Sequence, residues 1–216
     1  MSFSEPPAKR RRSDVENVSN EKKNDRNFSE LVFISGNTIH FMDSVNIYTI
    51  QQFIKFVDEK IRENVKHPDD EFNLTYVVHS GGGSVTDILV FVDFLTMTRK
   101  RYHNVKFTSV ITGIAASAAS IMSIVADNKH ITKYAKAMIH ELSSGMSRKN
   151  YTHIKSDFKL TTMYHDDLCQ IYLENIRKDE KGEPVLNKEQ LETLLRNETW
   201  YSADDYVKAG FADKVV

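Results

Sequence analysis

Residues 74–95 read Leu-Thr-Tyr-Val-Val-His-Ser-Gly-Gly-Gly-Ser-Val-Thr-Asp-Ile-Leu-Val-Phe-Val-Asp-Phe-Leu. The short apolar run 74–78 has the character of a buried parallel strand. Gly81-Gly82-Gly83 interrupts it. Val85, Ile88, Leu89, Val92 and Leu95 then recur at three- and four-residue spacing, which predicts a helix. A buried strand, a tight turn and an amphipathic helix in that order are the repeating unit of an α/β sheet protein. Working upstream, residues 31–35 and 38–41 read as strands around Gly36-Asn37. Ile47, Ile50, Phe53, Ile54, Val57 and Ile61 mark a helix that residues 67–70 end. Downstream, 105–112 is a β-rich stretch that Gly113 ends, and the small, apolar 115–126 predicts a buried helix. Residues 130–133 and 137–140 read as strands.

The remainder reads as helical. Tyr151, Ile154, Phe158, Leu168, Tyr172 and Ile176 fall along one face of a long helix from about Ser147 to Asp179. Asn187 with Gln190 forms a capping box opening a helix through Leu195. Ser202 with Asp205 repeats the pattern, and Gly210 suits a helix C′ position. The prediction is an α/β fold with a mainly parallel sheet and a long protruding C-terminal helix. In such sheets reactive groups gather where strands end and helices begin.

Composition narrows the function classes. The chain has 216 residues, 29 Lys plus Arg against 30 Asp plus Glu, and a formal net charge of −1. That balance argues against a general nucleic-acid binder, which needs a basic face. One cysteine excludes a disulfide framework and a cysteine-based zinc site, and the eight histidines show no tight pair at helical ligand spacing. His153 and His165, twelve apart, suit no compact site; Cys169 reads as a packing residue. No apolar run approaches the roughly 18 residues of a membrane span, and residues 1–30 lack a signal peptide's apolar stretch. Residues 1–28 hold seven Lys/Arg, five Asp/Glu and few apolar side chains, so they are expected to be a disordered tail before a domain at 29–216. Lys9-Arg10-Arg11-Arg12 is either part of a solvated tail or, in a eukaryotic cell, a nuclear-import signal. The expected location is otherwise cytoplasmic.

Two strand-to-helix junctions carry the chemistry. Ser80-Gly81-Gly82-Gly83-Ser84 can expose backbone N–H groups toward an anion, including a developing oxyanion, or it can be a tight turn and nothing more. It is not a Walker A loop, because no Lys-Ser/Thr follows at the required spacing. Gly113-Ile114-Ala115-Ala116-Ser117-Ala118-Ala119-Ser120 places Ser117 near a helix start, or it is close helix packing with incidental serines. His140 closes the apolar run Ala137-Met138-Ile139. Its 23-residue distance from Ser117 suits one helix, a turn and a strand returning to the same sheet edge.

Taken together, Ser80-Gly81-Gly82-Gly83, Gly113-Ile114-Ala115-Ala116-Ser117 and Met138-Ile139-His140 resemble the proteolytic subunit of the Clp protease family. Tyr201-Ser202-Ala203 and Gly210-Phe211-Ala212-Asp213 are similar to its C-terminal segment. The resemblance covers about residues 36–216. It implies a Clp-peptidase and crotonase-like fold, and a serine endopeptidase acting on unfolded proteins or peptides without a metal or organic cofactor. In that reading Ser117 is nucleophile and His140 general base, and the backbone N–H groups of Gly83 and Ala118 form the oxyanion hole. The family's third residue is an aspartate. An ungapped match puts Glu198 there, with Asn197 one residue away. The resemblance further implies a homo-oligomer, with heptameric rings stacked in pairs enclosing a chamber, and an ATP-driven AAA+ unfoldase partner.

Several positions depart from the family. Gly81 stands where the family usually has proline, the glycine pair after the histidine is reduced to Ser143-Ser144-Gly145, and the segment before Leu31 does not look like the axial loop and first helix. The last point puts unfoldase docking in doubt. Departures of this kind fit a phage- or virus-encoded relative. Two rivals stand beside the peptidase: a catalytically silent ring subunit, and an acyl-CoA enzyme of the crotonase-like fold.

Overall fold

The computed structural model describes residues 31–67, 70–143 and 150–216. The predicted tail with its Lys9–Arg12 run, Pro68-Asp69, Ser144-Gly145 and Ser147 lie outside the described residues. The first strands, β1 (Val32–Ser35) and β2 (Thr38–Phe41), form an antiparallel hairpin turning at Gly36, whose φ of 60° suits a glycine. Asn46 then caps α1 (Ile47–Asn64). Its side chain accepts from the N–H groups of Tyr48 and Thr49, and Thr49 returns a bond to the Asn46 N–H.

The central motif folds as predicted. Strand β3 (Phe72–Ser80) leads through the glycine turn into α2 (Val85–Arg101), capped by Ser84, and β4 (Val105–Ala116) returns parallel to β3. The sheet runs β1-β2-β3-β4 and continues to β5 (Asn128–Ile131) and β8 (Lys214–Val215), all parallel after the hairpin. It also branches. The first part of β4 pairs with β5 at 108–111, while Ile114–Ala116 pairs with β6 (Lys136–Ile139). Strand β7 (Thr199–Ser202) lies antiparallel to β6.

Here the structure corrects the sequence reading. Gly113 does not end the strand. It bends it, at φ 63° and beside a register shift against β3, and a Cβ there would collide with the His79 imidazole. Ala115 and Ala116 are therefore strand, and the buried helix is only α3 (Ala118–Ile124).

Two aromatic clusters form the core. Tyr76 of β3 packs edge-on against Phe53 of α1 and Phe91 of α2, and its hydroxyl donates to the Met122 carbonyl in α3 at 2.7 Å. The second cluster joins Tyr172 of α4 (Tyr151–Asn175), Tyr201 of β7, Tyr206 of α6 (Ala203–Lys208) and Phe211. Helix α5 (Lys188–Arg196) opens on the predicted Asn187–Gln190 capping box. At 25 residues, α4 is shorter than expected, because the chain turns away at Ile176. Residues 151–168 bury no side chain, so its first turns stand away from the core. Among the described residues no helix is long and apolar enough to cross a membrane.

Candidate active site

Ser117 lies between β4 and α3 with φ 56° and ψ −129°, a conformation unusual for any residue but glycine. Its surroundings hold it there. The Ser117 N–H donates to the Met138 carbonyl at 2.9 Å, which ties the turn to β6. The Ser117 carbonyl accepts from the Ser120 N–H at 3.0 Å and from the Ser120 hydroxyl at 2.6 Å. Ser120 Oγ also lies 2.6 Å from the hydroxyl of Tyr172. Strain at an otherwise well-bonded elbow aims a side chain outward.

His140 follows the last residue of β6, and its Nε2 lies 2.8 Å from Ser117 Oγ. With the ring proton on Nδ1, Nε2 accepts from the serine hydroxyl. Among the described residues no hydrogen bond reaches His140 Nδ1. The parallel pairing of Ala116 with Met138 sets this geometry, because it brings the ends of β4 and β6 to one edge.

The glycine turn seats against the same point. A Cβ on Gly82 would press on Ala116 O and Ser117 Cβ, and one on Gly83 would overlap the Val45 carbonyl. Gly81 has open space, so only the second and third glycines are sterically required. The Val45 N–H donates to Gly82 O and the Ser84 N–H to Val45 O, which locks the turn. Among the described residues, neither the Gly83 N–H nor the Ala118 N–H donates to a protein acceptor. Both residues line a cleft of about 580 Å³, counting the space open at its mouth, together with Ser117 and His140. Ile88, Ile121, Leu168 and Leu195 make its walls apolar.

Glu198 is placed by two features. The β6–β7 pairing ends at Ile139 with Thr199, and His140 and Glu198 are the residues just beyond that pair on the two strands. Glu198 itself has φ 47° and an exposed side chain, and no hydrogen bond joins it to His140 among the described residues. Asn197 is the C-cap of α5 and is also exposed. Asp204 and Asp205 lie in the first turn of α6, where Asp205 accepts from the Ser202 hydroxyl.

Sequence reasoning missed the supports of the site. The Val45 clamp, the Ser120–Tyr172 hydroxyl pair and the Glu141 N–H bond to Leu195 O at 3.0 Å all join segments far apart in sequence, with no local signal. Cys169 is buried as expected, and burial pushes its thiol up to about 11.

The fold and site together define an α/β protein with a serine–histidine pair at the carboxyl edge of a mainly parallel sheet. The sequence model of the Clp protease family matches residues 40–216, and the chain belongs to that family. It is 27% identical over 146 residues to the ATP-dependent Clp protease proteolytic subunit 1 of Protochlamydia amoebophila, a match covering 66% of this chain and 65% of that protein. A protein of the same name from Chlamydia abortus is 25% identical over 150 residues, covering 66% of this chain and 69% of its own length. The family and the fold expected from the three motifs are thus both found.

Proposed function

We propose that the chain is a serine endopeptidase. The observation that carries this reading is the 2.8 Å separation of His140 Nε2 from Ser117 Oγ, beside two backbone N–H groups without protein acceptors. Ser117 Oγ attacks a peptide carbonyl while His140 Nε2 takes the hydroxyl proton. The Gly83 and Ala118 N–H groups receive the oxyanion. His140 then protonates the leaving amine, and water repeats the sequence to release the acyl group. Each oxyanion donor contributes about 3–4 kcal/mol in comparable sites. The apolar walls of the cleft favour an apolar side chain next to the cleaved bond. Glu198 is the proposed third member, a reading supported by its position just beyond the Ile139–Thr199 pair, where His140 is the next residue on the other strand. It would bond Nδ1 after a rotamer change and offset the imidazolium charge. The proposal extends to a homo-oligomeric chamber, unfolded chains as substrate and an ATP-driven unfoldase as partner. The relatives' names support the last of these, since both are subunits of an ATP-dependent protease.

A silent ring subunit is the second reading. The exposed Glu198 carboxylate, without a bond to His140, favours it. A fluorophosphonate probe separates the two. A covalent adduct located on Ser117 by mass spectrometry, and absent from Ser117→Ala, is the result expected of a peptidase. The folded, assembled chain failing to label would leave the silent subunit standing.

A further inference from the structure

Helices α4 and α5 bring together three side chains of different chemistry outside the serine–histidine pair. His165 and Cys169 are four residues apart on one face of α4, and Glu192 reaches them from α5. One donor atom of each lies within 4.8 Å of the other two. Cys169 Sγ and His165 Nε2 are 3.6 Å apart. We propose that His165, Cys169 and Glu192 bind a divalent transition-metal ion of the zinc class.

Distances, charge and access agree. In a tetrahedral site with Zn–S about 2.3 Å and Zn–N about 2.0–2.1 Å, the S–N edge is about 3.6 Å. An ordinary S–H···N contact would account for that pair alone. It would not call for a carboxylate converging from a second helix. Thiolate, imidazole and carboxylate together carry two negative charges, so a divalent ion makes the half-buried cluster neutral. Binding releases the thiol proton to solvent, and the sulfur pair goes to the metal. The fourth position is left to water. Cys169 and Lys188 line a surface cleft with Pro184, which provides a path inward. Lys178 and Lys188 are the cations that line this cleft. Lys188 is the nearer to Glu192. Its Nζ lies 3.8 Å from Glu192 and 3.2 Å from Asp166, so it keeps Asp166 as partner when Glu192 turns to the metal.

Histidine-to-histidine spacing does not reveal this site, and a single cysteine excludes only a zinc site built from several cysteines. The pair at helical spacing is His165 with Cys169, and Glu192 arrives only through packing. The site shares one residue, His165, with the wall of the cleft. His165 and Leu195 line the cleft wall, and Leu195 O holds the backbone N–H of Glu141, next to His140. A metal linking α4 to α5 would brace that wall, and it does so whether or not Ser117 reacts.

Cobalt(II) titration of the full-length chain tests the site. The expected result is one equivalent bound, with a near-ultraviolet thiolate-to-cobalt charge-transfer band and the visible bands of a tetrahedral ion, displaced by zinc. Cys169→Ser should lose the charge-transfer band. His165→Ala and Glu192→Gln, at half-buried positions, should each weaken binding by at least about tenfold. Circular dichroism confirms that each variant is folded. His140→Ala should bind as the native chain does. Absence of the band in the folded native chain at one equivalent would overturn the proposal. So would unchanged affinity in both His165→Ala and Glu192→Gln, which would leave only a thiol reacting with the metal.

Discussion

Glu198 carries two conflicting demands. It occupies the left-handed C′ position that follows α5, at φ 47°, where glycine is the residue of lowest strain. It is also the carboxylate proposed as partner of His140, one residue beyond the last β6–β7 pair. Glu198→Gly should relieve about 1 kcal/mol of backbone strain and raise Tm by about 2–4 °C. In the peptidase reading it should also lower peptide turnover, as should Glu198→Gln, by between about 10²- and 10⁴-fold. A thermal melt beside a peptide-cleavage assay reads both quantities. Unchanged turnover in both variants would move the third role to Asn197 or to solvent. A second residue-scale prediction concerns Tyr206. Its hydroxyl is fully buried with no hydrogen-bond partner among the described residues, and burial raises its pKa. Tyr206→Phe removes a desolvated polar atom while keeping the ring that stacks on Phe211. Its Tm should be equal to or above that of the native chain; a lower Tm would mean that the hydroxyl has a partner, such as a buried water.

At the scale of elements, the glycine turn distinguishes steric need from convenience. Gly83→Ala must displace the Val45 carbonyl, and that carbonyl also accepts the Ser84 N–H that starts α2. Cleavage should fall by at least about 10²-fold, because an oxyanion donor moves, and Tm should fall with it. Gly81→Ala meets open space and should keep both. Equal losses at the two positions would show that the turn needs flexibility rather than close approach. The same elements explain what the sequence made legible. The strand–turn–helix unit at 72–101 announces itself through local periodicity, and so do the Asn187–Gln190 box and the Ser202 cap. Ser117 and His140 were legible because the first reads as the start of a helix after a strand and the second as the end of a strand, and the parallel sheet delivers such junctions to one edge. Strand β4 was misread at Gly113, since a glycine that bends a strand looks like one that stops it. Strand β7 and the His165–Cys169–Glu192 cluster depend on which elements pack together, and no local pattern encodes that.

On the scale of the whole molecule, α4 is half-used. Toward its C-terminal end, Leu168, Tyr172 and Ile176 pack into the chain's own core. The same helical stripe continues toward the N-terminal end as Ile154, Tyr151 and Phe158, the last two 80% and 74% exposed. At 1.5 Å per residue, α4 is about 37 Å long, so its free half extends well beyond what the rest of the chain covers. An apolar stripe continuous with the core but uncovered fits a second copy of the chain, as the proposed chamber requires. Burying one Phe158 ring contributes about 1.5–3 kcal/mol per contact. In the proposed ring that contribution would repeat at every contact between copies. Phe158→Asp should therefore shift sedimentation velocity toward smaller species at equal concentration, with circular dichroism unchanged because the side chain touches little of its own subunit. Reactivity of Ser117 toward the probe should survive in the smaller species if the cleft is complete within one chain, as the shared walls of α3, α4 and α5 indicate. Unaltered sedimentation of Phe158→Asp would place the contact between copies elsewhere on the surface, leaving the exposed half of α4 to a different partner.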